Sequence, residues 1–524
     1  MPEIFPQQKL FPYDGSQNLS KNPLLISPTD ITDSDNIVYT NYSTKKLRPG
    51  ITDAFTKLIP GNERVLGGFD FWRLGQRRIV WYDGKRLKAT KGDGTVDDIT
   101  GGHNLPIDQT ISFAVMAGLL IIFFGGGQTP IKIWTMTGDI ADLSPDAPNA
   151  PFGRVWYNSL FIPDPILPGR ILKSNTGDPT DFLTGDAQAI DCDVNDADQR
   201  GVTAVFPPLF DSLYVTKRRG TWRIQPQLFS NGETQSIAWP AIKISEVGCI
   251  SHNAAQAIED SVMFPSDRGF HYVETSNRIS GVQTSFLSNN IQREYLKGTN
   301  FRRSQYMQSV YDFDLNSYLV IFPKIGNNFC SDLWGYSLIA KKWYRWRNYN
   351  QSAIFSYVDT QVEKVRTMVC SSTGRFGYID DESNTDYGKR YSLYLQSAII
   401  APSGTPDDNF VFKAIAPIFV PQLSGSFDIT YKVNGKKIET MTFPMTAEGE
   451  EQKLGEDFET GIDVLGSLPQ IKLDKRTAAG NGLFYDLLVR YSPGDNAPKD
   501  ESFELLGILV DVDPINKVTG GVSA

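Results

Sequence analysis

The stretch of this sequence that most suggests ligand binding is Lys341-Lys-Trp-Tyr-Arg-Trp-Arg347, in which cations interleave with aromatic side chains. On a β-strand, alternate side chains lie on one face. One face would therefore carry Lys341, Trp343, Arg345 and Arg347. Such a face could contact a polyanion or a glycan by stacking on bases or sugars. The competing interpretation is structural, because aromatic rings and the alkyl stems of Lys and Arg also pack between neighbouring sheets.

Neighbouring carboxylates raise a second possibility, since glycosidases cleave a sugar bond between two acids. The runs Asp380-Asp-Glu382 and Asp407-Asp408 are the candidates. Propeller sialidases carry Ser-x-Asp-x-Gly-x-x-Trp turns, and Ser266-Asp-Arg-Gly-Phe270 does not keep that spacing. We expect solvated loop acids, and the alternative is a glycan-binding or glycan-cleaving β-propeller that uses Asp380 or Asp381.

Other residues with chemical potential do not form a pattern. The chain has three histidines, His103, His252 and His271, and none stands at metal-ligand spacing from another. No Gly-x-Ser-x-Gly motif accompanies them, and Gly125–Pro130 lacks the Lys-Ser/Thr of a phosphate-binding loop. We therefore expect no catalytic residue, no metal and no cofactor.

One acidic loop resembles a calcium-binding loop for part of its length. The run Asp191-Cys-Asp-Val-Asn-Asp-Ala-Asp198 begins as such a loop does. A calcium loop requires Gly at its sixth position and Glu at its twelfth, where this chain has Asp196 and Val202. The sequence predicts a solvated loop here, with weak cation binding at 191–198 left open.

Composition limits the class of protein. A chain of 524 residues exceeds one ordinary core and predicts two or three domains. The formal net charge of −9 argues against a protein that grips nucleic acid over its whole surface. No signal peptide is visible, and the longest apolar run, 113–124, is shorter than the ~20 residues that span a bilayer. The four cysteines are too far apart for a zinc knuckle, so we expect buried free thiols and a reducing cytoplasm.

From about residue 51 to 388, short apolar strands alternate with tight polar turns. Asp83-Gly84 joins two such strands in a typical hairpin, and three similar hairpins surround Gly220, Gly269 and Gly374. A second series of turns recurs about every 46 residues, the period of a β-propeller blade. That series comprises Gly84, Gly118, Asn158, Asp211, Glu259, Leu315 and Thr360. We predict an all-β fold whose main part is a β-propeller of about seven blades.

The ends of the chain differ from this middle part. Residues 1–50 are rich in Asn, Ser, Asp and Pro, which predicts an extended N-terminal arm. Residues 389–524 carry alternating strands, including a hairpin at Asn434-Gly435, and predict a C-terminal β-sandwich. The predicted domains are thus 1–50, 51–388 and 389–524.

Several phrases, taken in order, resemble one family. They are Leu47-Arg-Pro-Gly50, Gly169–Phe182, Leu213–Ile224, Glu246-Val-Gly-Cys-Ile-Ser251 and Val262–Phe270. Together they are similar to the tail hub or nozzle proteins of short-tailed bacteriophages, also called packaged-DNA stabilisation proteins. The resemblance runs from about residue 40 to 280 and continues more loosely, with Phe503–Asp511 similar to the last strand of such chains.

The resemblance implies a structural virion protein rather than an enzyme. It implies a homo-oligomeric ring, a homohexamer, below the portal and its adaptor, which continues the DNA channel. Such a ring retains packaged double-stranded DNA and carries tail fibres, spikes or a needle for ejection. The acidic balance fits this role, because a wall that repels phosphate lets DNA slide. The implied location is the tail of the virion, after assembly in the host cytoplasm and without membrane insertion.

Overall fold

The structure is a computed structural model that describes most of the chain. The residues outside the description are 1–6, 12–14, 23–24, 55–62, 92–94, 194–199, 210, 231–234, 276–281, 361, 403–408, 423, 447–471, 494–501 and 516–524. The described residues are almost entirely β-structure: 45 strands, one short α-helix and two 3₁₀ helices. The predicted all-β class is confirmed.

The strands of the first half are short and follow one another closely. They are β1 (Gln7–Phe11), β2 (Ile31–Asp35), β3 (Ile37–Tyr39), β4 (Lys45–Leu47), β5 (Gly50–Asp53), β6 (Gly67–Arg73), β7 (Gln76–Tyr82), β8 (Leu87–Thr90), β9 (Val96–Asp98), β10 (Ile111–Met116), β11 (Leu119–Phe124), β12 (Lys132–Trp134), β13 (Ala141–Asp142), β14 (Arg154–Trp156), β15 (Ser159–Pro163), β16 (Arg170–Lys173), β17 (Gln188–Asp191), β18 (Val202–Val205), β19 (Leu213–Lys217), β20 (Gly220–Ile224), β21 (Gln227–Ser230), β22 (Gln235–Ala238) and β23 (Ala241–Ser245).

The second half contains the described helices and the longest strands. The helices are α1 (Gln292–Gly298) and the 3₁₀ segments His252–Ala254 and Phe301–Tyr306. The strands are β24 (Gln256–Ile258), β25 (Ser261–Pro265), β26 (Phe270–Thr275), β27 (Val282–Phe286), β28 (Gln308–Asp312), β29 (Ser317–Phe322), β30 (Asp332–Ser337), β31 (Lys342–Trp346), β32 (Gln351–Asp359), β33 (Lys364–Ser371), β34 (Phe376–Asp380), β35 (Thr385–Asp386), β36 (Lys389–Arg390), β37 (Leu393–Ser397), β38 (Phe410–Phe419), β39 (Ser426–Val433), β40 (Lys436–Pro444), β41 (Lys472–Leu473), β42 (Arg476–Thr477), β43 (Asn481–Gly482), β44 (Tyr485–Tyr491) and β45 (Glu504–Pro514).

The chain divides into two compact units. The terminal unit comprises residues 1–52, 337–346 and 380–524, and the middle unit comprises residues 53–336 and 347–379. The terminal unit therefore contains most of the segments predicted as an arm and as a C-terminal domain. The domain boundaries at 50 and 388 stay a prediction.

The middle unit consists of small antiparallel sheets that follow the order of the chain. Five four-stranded sheets lie among its described residues: β6–β9, β10–β13, β14–β17, β18-β19-β20-β23 and β24–β27. Beyond them, β28 pairs with β29, β32 with β33, and β33 with β34, all antiparallel. The four hairpins predicted around Gly84, Gly220, Gly269 and Gly374 are confirmed, as pairs β7–β8, β19–β20, β25–β26 and β33–β34.

Neighbouring strand groups of the middle unit pack on each other in sequence. Contacts join β6 to β10, β10 to β14, β15 to β18, β23 to β27, β24 to β28, and β28 to β32. The last group then contacts the first, because β32 packs on β6. At that junction an Oδ atom of Asp70 accepts a hydrogen bond of 2.9 Å from the Val358 amide. Gln308 adds two more links, donating to the Leu66 carbonyl at 2.7 Å and accepting from the Ile354 amide at 3.2 Å.

Large aromatic side chains fill the space between successive sheets of the middle unit. Trp156 and Phe161 from the sheet β14–β17 lie in one buried cluster with Trp222 of β20 and with Trp239. The ring centroids of Trp156 and Trp239 are 5.4 Å apart in an edge-to-face arrangement. Each ring of this size removes ~150–250 Å² from water, so these clusters supply much of the driving force for stacking the sheets.

The terminal unit contains two larger sheets. One has the order β3-β4-β45-β38-β41, with β1, β42 and β43 paired at its sides, and the other has the order β2-β37-β44-β39-β40. Facing rings join the two sheets: Phe412 stacks on Tyr431 at 5.1 Å and meets Tyr485 edge-on at 5.0 Å. The predicted hairpin at Asn434-Gly435 is confirmed as the β39–β40 turn, where both residues have positive φ. The segment predicted as an arm supplies β1–β4 to these sheets.

All four cysteines are free and buried, as predicted. Burial raises the pKa of the Cys249 thiol to about 12, so this thiol stays protonated and unreactive at neutral pH. None of the described helices is both long and apolar enough to cross a bilayer.

Candidate functional site

The cationic and aromatic stretch 341–347 forms strand β31 and its flanks. Lys341 is exposed and precedes the strand with a φ of 55°, and Arg347 follows the strand and is half-buried. Between them, the side chains of Trp343 and Arg345 are each 3% exposed. Two of the four residues predicted to form a binding face are therefore enclosed by protein rather than open to a polyanion or a glycan.

The opposite side of β31 also has a packing role within the terminal unit. Trp346 is fully buried and its indole Nε1 donates a 2.9 Å hydrogen bond to the Ile37 carbonyl. The rings of Tyr344 and Tyr39 lie 6.3 Å apart. These contacts fix β31 against β3, and they favour the structural interpretation of the stretch.

The carboxylates considered as glycosidase acids have local partners. Asp380 accepts a 2.6 Å hydrogen bond from the Thr52 hydroxyl and a 3.2 Å hydrogen bond from the Glu382 amide. Asp381 is exposed in the following turn. The pair Asp407-Asp408 lies outside the described residues, as does most of the acidic loop 191–198. From that loop, Asp193 pairs with the buried Lys217 ammonium.

The three histidines are separate, and two of them are buried. His103 contacts the Ile140 carbonyl and the Lys132 ammonium. His252 stacks on Phe152 at 4.5 Å, and desolvation lowers its pKa well below the usual value. His271 is 5% exposed, and desolvation lowers its pKa to about 4. Within the described ranges, no group of His, Cys, Asp or Glu side chains is arranged to hold a metal ion.

Two neighbouring cavities lie within the middle unit, and the first is lined by residues of several strand groups. The first cavity has a volume of about 370 Å³, and residues from the first strands of several strand groups line it. Its lining includes Gly68, Ser112, Arg154, Gln256, Gln308 and Ile354, from β6, β10, β14, β24, β28 and β32. A second cavity of about 390 Å³ shares Ile111, Ser112, His252 and Asn253 with the first. We call the first one the Arg154 cavity.

Among the residues that the structure describes, Arg154 is the only formally charged one in the lining of either cavity. It opens β14, one residue before the apolar pair Val155-Trp156. Its guanidinium Nε has no hydrogen-bond partner among the described residues, and no described carboxylate pairs with it. Desolvation lowers the pKa of Arg154 to about 10, which leaves the group charged at neutral pH.

The polar side chains around Arg154 mostly serve the backbone. Asn253 donates to the Ile111 carbonyl at 2.7 Å, and Gln256 donates to the Ala257 carbonyl at 3.3 Å. His252 accepts from the Val205 amide at 3.2 Å. The Ser112 hydroxyl is an exception: Ser112 is 5% exposed and its Oγ has no partner in the described part of the chain. Arg154 as a whole is half-buried and its charge borders the cavity, whereas the Ser112 hydroxyl is shielded from it.

Sequence reasoning missed this cavity and singled out Lys341–Arg347 instead. The available signal was weak, since one Arg at the head of a short apolar strand is common. Arg154 lacks a carboxylate partner because of the residues that several distant strand groups place around it. No single segment of the sequence shows which strand groups these are.

Comparison with known proteins gives no family assignment. No protein-family model matches the chain, and no curated protein matches it. Among solved structures, the chain is similar to a chain of the mitotic checkpoint complex, with 7% identity, a TM-score of 0.37 and coverage of 63% of this chain and 94% of that chain. It is similar to the computationally designed Ika8 protein, with 11% identity, a TM-score of 0.36 and coverage of 67% and 94%.

A third similarity is to the extracellular domain of the one-component system BT4673 from B. thetaiotaomicron. The identity is 12%, the TM-score is 0.41, and the match covers 76% of this chain and 48% of that chain. At such identities and TM-scores, the three similarities support no inference about fold or function.

Proposed function

We propose that this chain is a structural virion protein, the tail hub or nozzle subunit of a short-tailed bacteriophage. In this proposal the middle unit is a β-propeller of about seven blades and the terminal unit contains a β-sandwich. The observation that carries the architecture is the sequential packing of strand groups in the middle unit, in which β32 returns to β6. Sheets that each bury both faces on neighbours give a rigid body suited to assembly.

The family-like phrases support a role in shape rather than in catalysis, because their residues have structural contacts. In Leu47-Arg-Pro-Gly50, the Arg48 guanidinium makes hydrogen bonds of 2.8 and 2.5 Å to the two Asp386 carboxylate oxygens. In Glu246–Ser251, Gly248 lies so close to the carbonyl oxygens of Lys217 and Gly220 that a side chain there would overlap them. The phrases thus hold the backbone in place.

The proposed partners follow from the same family resemblance. The subunit would form a homohexameric ring below the portal and adaptor, carry fibres, spikes or a needle, and pass double-stranded DNA through the ring. A net charge of −9 supports this role, because an acidic wall does not retain phosphate by counterion release. Obligate ring contacts of this kind bury large areas, on the order of 2,000 Å² or more.

Negative-stain microscopy and mass photometry of the purified chain test the proposal. We expect rings of uniform size, either alone or after mixing with the adaptor encoded beside it. A chain that stays monomeric at micromolar concentration and does not bind the adaptor would contradict the proposal. Neighbouring reading frames for a portal and a terminase would support it independently.

A glycan hydrolysis screen addresses the alternative function. The tail-hub proposal predicts no turnover by the wild-type chain or by Asp380→Asn and Asp381→Asn. Turnover that is lost in either variant would favour the glycan-cleaving propeller.

A further inference from the structure

The Arg154 cavity combines features that point to a ligand rather than to packing. A guanidinium is costly to remove from water, and proteins normally offset that cost with a carboxylate or with several acceptors. Arg154 is half-buried, and in the described part of the chain it has neither a carboxylate partner nor a hydrogen bond from Nε. The cavity beside it, at about 370 Å³, lies in the size range of small-molecule sites.

The lining of the cavity defines the charge of a suitable ligand. No described Asp or Glu lines it, so a cation would meet the Arg154 charge without compensation. An oxyanion would instead satisfy the guanidinium, whose planar fork matches the oxygen spacing of carboxylate and phosphate groups. The lining also contains the neutral amide side chains of Asn253, Gln256 and Gln308, which add no competing charge.

We propose that the Arg154 cavity binds a small oxyanion of the phosphate or carboxylate type. Arg154 is the charged anchor of this site. This inference does not depend on the virion role, since it concerns one cavity within the middle unit.

Equilibrium dialysis with radiolabelled inorganic phosphate, at low ionic strength and neutral pH, tests the inference. We expect saturable binding of one phosphate per chain. Arg154→Gln should weaken the binding about tenfold or more, because it removes a charge-assisted contact. Arg86→Gln is the matched control, since the Arg86 side chain is 64% exposed and pairs with Asp98 on the surface.

Competition separates the possible ligands. Displacement of the label by acetate or citrate at lower concentration than by unlabelled phosphate would identify a carboxylate site, and the reverse would identify a phosphate site. Absence of binding by all of these anions at millimolar concentration would overturn the inference, as would phosphate binding that Arg154→Gln leaves unchanged.

A second measurement covers the case in which Arg154→Gln does not fold. Phosphate should raise the melting temperature of the wild-type chain above that in chloride of equal ionic strength, because ligands stabilise the state that binds them. Arg154→Lys, which retains the charge but loses the fork, should show a smaller rise. Equal rises in both proteins, or no rise in the wild type, would count against the site.

Discussion

Arg48 shows how a single residue explains a recognisable phrase of the sequence. Its side chain is 3% exposed, and besides Asp386 it donates to Asn36 at 2.8 Å and lies 3.7 Å from the centre of the Tyr391 ring. Every nitrogen of the guanidinium thus has a partner inside the terminal unit. At Arg154, by contrast, the guanidinium Nε has no partner among the described residues.

The first prediction concerns this buried network. Arg48→Ala should destabilise the chain by about 3–5 kcal/mol, because it leaves the Asp386 carboxylate without its partner. Arg48→Lys should recover only part of the loss, since an ammonium cannot make the paired hydrogen bonds. Urea unfolding followed by tryptophan fluorescence measures both.

Arg86→Ala provides the control for that experiment, because the ion pair with Asp98 is on the surface. We expect a change below about 1 kcal/mol for this variant. Equal effects of the substitutions at Arg48 and Arg86 would show that the buried network contributes little.

The second prediction concerns His271 and pH. The imidazole lies between Phe264 and Phe286, with centroid distances of 5.9 and 5.0 Å, and its Nε2 has no partner among the described residues. Its pKa falls from 6.5 to about 4, chiefly through desolvation and secondarily through Arg268. The unfolded chain therefore binds the proton more readily, so stability is fully present above pH 6.5 and decreases as the pH falls towards 4.

Replacing the imidazole should remove this pH dependence. The wild type should lose up to about 3 kcal/mol from this group between pH 7 and pH 4, and His271→Phe should lose correspondingly less. Urea midpoints measured at half-unit pH intervals give the two slopes. Parallel slopes for the two proteins would mean that His271 does not titrate in this window.

At the scale of elements, the turns were the most predictable part of the chain. Asp83-Gly84 and Asn434-Gly435 specify hairpins through their own backbone preferences, and both hairpins are present. Six of the seven recurring turns also fall after the first strand of a sheet or strand group, from Gly118 to Thr360. Gly84 falls one hairpin later, after the second strand of its sheet.

Pairings between distant segments could not be predicted in the same way. β4 pairs with β45, with Lys45 opposite Leu505, and nothing local in either strand specifies the other. The strand β31 illustrates a related limit for the candidate site. Its alternation of cations and aromatics fits a ligand-binding face or a buried packing surface equally well. The burial of Trp343 and Arg345 depends on residues far away in the chain.

The third prediction tests the turn between β39 and β40. Gly435 has a φ of 75°, and open space surrounds the position that a Cβ would occupy. Gly435→Ala should therefore cost about 1–2 kcal/mol from backbone conformation alone. Gly102→Ala is the matched control, because Gly102 also has open surroundings but not a left-handed backbone. Thermal melting should separate the two variants, and equal melting temperatures would exclude a conformational cost at Gly435.

At the scale of the whole molecule, the middle unit depends on contacts that close its order of strand groups. Asp70 accepts from Val358 on β32 and also from the Arg77 side chain at 2.7 Å, so one carboxylate connects the first group to the last. Its side chain is 8% exposed. A propeller of the proposed kind has one such junction, between the beginning and the end of its circle.

The fourth prediction is that this junction fails first when Asp70 is removed. Asp70→Ala should lower the unfolding free energy by about 2–4 kcal/mol, because Arg77 and the Val358 amide lose a buried charged acceptor. Hydrogen exchange followed by mass spectrometry should show faster exchange in peptides from β32 and β6 than in peptides from β14 or β19. Asp98→Ala, which removes an exposed partner of Arg86, is the control and should leave all of these peptides unchanged. Uniform acceleration over the whole middle unit in Asp70→Ala would mean that the strand groups open together, and the junction would then have no special role in the stability of the unit.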